Sequence, residues 1–144
     1  MKILAVGLSG LVLALPATAS TPSFRQQASR LCEATLNQIK QPPAGKPFKA
    51  LTQREADAFL RSASDAFATL SLRLNRLTPP VAQRLAYTTM LSDFRTSSSA
   101  FAQARASFDL GDKTKALQRA TAAARWAGKG AAVGKALELG QCGP

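Results

Sequence analysis

Tyr87, Phe94, Phe101 and Phe108 return at every seventh position, with Met90, Ser97 and Ala104 between them. Such spacing keeps one side of an α-helix in contact with a neighbour, because two helical turns take close to seven residues. In a strand the same residues would alternate between faces. One long helix, packed along its length by aromatic rings, is therefore predicted. Pro79 and Pro80 open it, and Leu110-Gly111-Asp112 ends it, with the glycine as a stop and the aspartate as the cap of the next helix. Ser97, Ser98 and Ser99 are poor helix formers and predict either a bend or a narrow, hydroxyl-lined layer.

The remaining chain repeats this theme. Phe24, Ala28, Leu31, Cys32, Thr35, Leu36 and Ile39 make one stripe over 23–40, a first helix capped by Thr21 with Pro22 in its first turn and ended by Pro42-Pro43. The stretch to Leu51 holds three prolines and a glycine and reads as a loop. Thr52 and Glu55 form a capping box for a second helix. Its stripe of Ala56, Phe59, Leu60, Ala63, Phe67, Leu70, Leu74 and Leu77 runs until Thr78-Pro79-Pro80. After Asp112 a fourth helix is rich in small residues, among them Ala116, Ala120, Ala123, Ala127, Gly130 and Gly134, which allow close approach to the rings of the third. Gly128 and Gly130 predict a kink there. The expected fold is all-α, an up-down-up-down four-helix bundle in one domain over 20–144.

Residues 1–19 have the three parts of a secretory signal: Lys2, an apolar run from Ile3 to Leu15, and Ala17-Thr18-Ala19 as a cleavage site. The apolar run is shorter than the ~20 residues that cross a bilayer. The expectation is a soluble, secreted or extracytoplasmic product. Export places Cys32 and Cys142, the only cysteines, where thiols oxidise. Antiparallel helices bring the first beside the end of the last, so the two are expected to form a disulfide, with unpaired thiols as the alternative.

Histidine is absent. That closes serine–histidine and cysteine–histidine catalysis, most zinc sites and histidine-ligated haem. The acids are spread over all four segments and read as caps and surface partners; Asp57, Arg61 and Asp65 stand at i, i+4 spacing. Gly128 to Ala136 reads GKGAAVGKA, but Lys129 occupies a required glycine position of a phosphate-binding loop and Ala136 the hydroxyl position. No enzyme, cofactor or metal site is expected.

Net charge is +11. Lys113, Lys115, Arg119, Arg125, Lys129 and Lys135 of the fourth helix form the densest basic group, a candidate anion-binding surface for cell-envelope polymer or a membrane surface. They spread over more than half the helix circumference with Trp126 as the one aromatic, which disfavours sequence-specific nucleic-acid recognition. Basic charge also serves solubility alone. A second candidate site is an apolar pocket along Tyr87, Phe94, Phe101 and Phe108, where a ring stripe more often simply fills a core.

Leu31-Cys32-Glu33, Pro42-Pro43, Leu77-Thr78-Pro79-Pro80, LGDKTKALQRA from Leu110 and ALELGQCG from Ala136 together resemble a group of small exported helical proteins of actinobacteria. The resemblance implies a four-helix bundle with a terminal disulfide and implies no activity. The LGDKTKALQRA run is also similar to one tetratricopeptide turn, without the repeat of about 34 residues. The expected function is a non-catalytic binding or structural module contacting anionic cell-envelope partners, and the alternative is a carrier of a small apolar ligand.

Overall fold

The computed structural model describes residues 22–140 and Cys142. The expected signal segment 1–19 and the expected cap Thr21 lie outside these residues. Four α-helices follow in order: α1 (Phe24–Leu36), α2 (Gln53–Leu74), α3 (Arg84–Asp109) and α4 (Lys113–Ala136), with single 3₁₀ turns at Phe48–Ala50 and Val81–Gln83. Among the described residues there is no strand.

Each start and stop has a local cause. Ser23 caps α1, its hydroxyl accepting from Gln26 N while the Gln26 side chain accepts from Ser23 N, a reciprocal box. Thr52 and Glu55 close the same box on α2, as expected. Gly111, at φ +81°, supplies the left-handed turn after α3, and the Asp112 carboxylate accepts from Lys115 N to start α4.

Three ends differ from the sequence reading. The first helix starts only after its Ser23 cap, which leaves Pro22 ahead of the helix and not in its first turn. The first helix stops at Leu36 rather than Lys40, and Gln38 and Ile39 continue only as tight turns bonded to Thr35 and Leu36. Asn37 is a weak helix former, and Pro42 disfavours helical backbone just before it. The second helix stops at Leu74, with Leu77 in the following turn, because Asn75 and the approach to Pro79 oppose continuation in the same way. The Ser97–Ser99 run does not interrupt α3, and α4 passes through Gly128 and Gly130 as unbroken helix.

All four helices contribute to one apolar cluster that includes Leu60, Phe67, Leu74, Met90, Phe94, Phe101, Phe108 and the two cysteines. Along α2 and α3, Gln53 donates to Asp109, Arg105 to Asp57 at 2.5 Å, and Tyr87 Oη to Leu74 O at 2.6 Å. Numbers rise on one helix as they fall on the other. The same reversal joins α3 to α4: Arg119 reaches Ser107, Ser97 Oγ donates to Ala123 O, and Phe94 lies against Gly130. The serines thus form the expected hydroxyl layer, since Ser98 Oγ also donates to Ser64 O of α2 at 2.9 Å.

Gly130 and Gly134 set how closely α4 can approach. A Cβ on Gly130 would stand 2.5 Å from Phe94 Cε1, and one on Gly134 would stand 2.8 Å from Cys142 Cβ. Beyond α4, Leu139 and Cys142 turn back into the core, and the Cys32 and Cys142 sulfurs lie 2.05 Å apart, at disulfide distance.

Candidate functional site

The lengths of the helices create the site. At 13 residues, α1 is about half as long as α2, α3 and α4, which have 22, 26 and 24. At 1.5 Å per residue it covers only part of their flank. The chain that continues from it holds Pro42, Pro43 and Pro47 and cannot cover the rest as helix. It regains contact farther on, where Phe48 packs edge-on to Phe108 at 5.7 Å between centroids and Leu51 is buried. Lys113 Nζ holds this segment by donating to Lys49 O at 3.1 Å.

Between the end of α1 and Phe48 an opening of about 610 Å³ remains. Phe59, Ala63 and Phe67 of α2, Phe101 of α3 and Ala124 and Ala127 of α4 line it, with Leu36 and Ile39 at the end of α1. Glu33, Asn37 and Gln41 add polar groups. The walls are fixed by ring contacts: Phe101 is stacked on Phe67 at 6.0 Å and meets Phe59 edge-on at 5.9 Å, and Phe67 in turn abuts Phe94. Such pairs add roughly 0.5–1.5 kcal/mol each beyond area burial. The Ala63 and Ala127 side chains stop at Cβ, which leaves the space a larger residue would fill.

The aromatic stripe divides along its length. Phe101 lines the opening. Phe94 is fully buried against Gly130, Tyr87 bonds to Leu74 O and packs on Phe24 at 5.2 Å, and Phe108 lies under Phe48 with Lys113 Nζ 5.2 Å from its centroid. Burial pushes the Tyr87 phenol up to about 12. Phe59, Ala63 and Phe67 carried the signal for the rest of the site at i, i+4, i+8 on α2, where the spacing reads equally as core.

The six basic residues of α4 do not converge. Lys113 holds the loop, and Arg119 donates to Gln103 O at 3.1 Å and Ser107 Oγ at 2.9 Å. Lys129 Nζ sits 4.0 Å above the Trp126 ring. Lys115, Arg125 and Lys135 are exposed and follow at ten-residue intervals, about 15 Å apart along the helix axis.

A second, more polar crevice of about 430 Å³ is lined by Lys40, Arg54, Asp57, Arg61 and Asp65. Asp57 is held there by Arg105 at 2.5 Å and Arg61 at 3.6 Å.

The chain matches no protein-family model, no curated protein and no solved structure.

Proposed function

We propose that this chain is an exported up-down-up-down four-helix bundle, closed by a Cys32–Cys142 disulfide, that binds a small apolar molecule in the gap beside its short first helix. The reversed contact registers of α2 with α3 and α3 with α4 support the topology. The bonding distance of the sulfurs and the secretory pattern at 1–19 support the closure and the compartment.

The observation that carries the binding role is the opening walled by Phe59, Phe67 and Phe101. Its volume lies within the ~300–1,000 Å³ range of small-molecule sites, and its composition, apolar with a few polar groups, is that of such sites. Glu33, Asn37 and Gln41 suit a ligand with one polar or cationic end. The role is binding and not catalysis: Asp57 in the polar crevice is tied to arginines, and the apolar opening has Glu33 as its one acid. Contact of the α4 cations with anionic envelope polymer draws on charge without convergence and takes second place.

Titration with the neutral fluorophore N-phenyl-1-naphthylamine tests the reading. One saturable site is expected. Ala124→Phe plugs the opening from its exposed rim and Ala63→Leu fills it from the wall; each is expected to weaken binding about tenfold or more, with the helical circular dichroism unchanged. Absence of saturable binding, or equal binding by both variants, overturns it.

A further inference from the structure

Among the described residues most large apolar side chains are at least partly buried, and four stand largely exposed: Leu72 at 64 %, Val81 at 75 %, Leu85 at 83 % and Leu110 at 86 %. Three of the four belong to one corner. Leu72 is in the last turn of α2, Val81 in the connecting 3₁₀ turn and Leu85 in the first turn of α3. Scattered exposed leucines are ordinary, and three at one corner are not.

Along this stretch of chain the charges are of one sign. Arg73 in the last turn of α2, Arg76 in the turn that follows it and Arg84 at the start of α3 are all exposed, and among the described residues none of them is in an ion pair. Between Asp65 and Asp93 the sequence contains no acid. Leu110, at the opposite end, lies instead between Asp109 and Asp112.

We infer that this α2–α3 corner docks on an anionic lipid bilayer, with Leu72, Val81 and Leu85 entering the interface and Arg73, Arg76 and Arg84 engaging the headgroup phosphates. The pairing of features selects this occupant. Phosphates alone would satisfy the arginines but would leave the apolar side chains in water, which sets nucleic acid aside. A second copy would set three arginines against three, and three side chains fall far short of the ~800 Å² per partner of a stable interface. A bilayer rewards both features, through apolar burial and through attraction of each cation to the surface potential.

The backbone of the corner is suited to a drier setting. Pro79 and Pro80 have no N–H to desolvate, and the Leu74 carbonyl accepts from Tyr87 Oη at 2.6 Å and Leu77 N at 2.9 Å. The corner shares no residue with the ligand opening, so the inference stands apart from that reading.

Vesicle co-sedimentation tests it, with phosphatidylglycerol mixed into phosphatidylcholine and phosphatidylcholine alone as the control. Binding is expected only to the anionic vesicles and is expected to weaken with salt. Each arginine is worth about a fivefold change, so R73Q/R76Q/R84Q is expected to lower partitioning about a hundredfold. L72S/V81S/L85S is expected to lower it about tenfold or more, with an unchanged thermal melt in both cases, since all six side chains are exposed. Three outcomes would overturn the inference: no binding to anionic vesicles, full binding by the serine variant, or loss only in K115Q/R125Q/K135Q, which would place the contact on α4. A dimer in sedimentation velocity that the serine variant abolishes would show a second copy as the occupant instead.

Discussion

Glu55 shows how one side chain ties a helix start to the loop before it. Its carboxylate accepts from Lys46 Nζ at 2.6 Å and from Thr52 N at 2.8 Å, and these two bonds, the lysine first, hold its pKa down to about 2 from 4.5. A carboxylate depressed in the folded chain adds stability that is complete above its unfolded value and is lost as protons are taken up below it. Stability is therefore expected to fall as pH drops from about 4.5 to about 2, and Glu55→Gln is expected to flatten that fall. Urea denaturation midpoints at about pH 5 and about pH 2.5 check it, and parallel losses in both proteins would contradict it.

At the scale of the helices, the approach of α4 to α3 rests on where a side chain is absent. Gly130→Ala sets a methyl carbon against the buried Phe94 ring, and overpacking of this kind outweighs the gain in helix propensity, for a net loss of about 1–2 kcal/mol. Gly128→Ala meets nothing within 4 Å and is expected to stabilise by up to about 1 kcal/mol. Opposite signs from two glycines two residues apart, read by chemical denaturation, are the test. Much of this level was legible in the sequence: the heptad rings, the Thr52–Glu55 box and the Gly111-Asp112 turn are local signals, and local physics decides them. The end of α1 was not, because Ile39 keeps the apolar period while Asn37 and the approaching Pro42 end the helix. The opening was legible only in pieces. Phe101 stands in the candidate pocket stripe while Phe59 and Phe67 read as core from their spacing, and whether a face is covered depends on the path of the 37–51 loop, which no periodicity encodes.

For the molecule as a whole, the short α1 has two consequences. It leaves the flank of the other helices open, and it depends on the far end of the chain to hold it, through Cys142 and the Arg25–Glu138 pair. Closing a loop across a separation of 110 residues stabilises by up to about 4–5 kcal/mol in the chain-entropy model, so Cys32→Ala with Cys142→Ala is expected to lose a large part of total stability. Denaturation of the oxidised and double-alanine proteins measures it, and coincident curves would contradict the link. The central claim is that the gap beside α1 is a site. Amide NMR of the full chain titrated with N-phenyl-1-naphthylamine tests it most directly: shifts saturating at one equivalent and centred on Ala63, Phe67, Phe101 and Ala127 are predicted, with Phe108 unmoved. Shifts that never saturate, or that scatter over the surface, would contradict it.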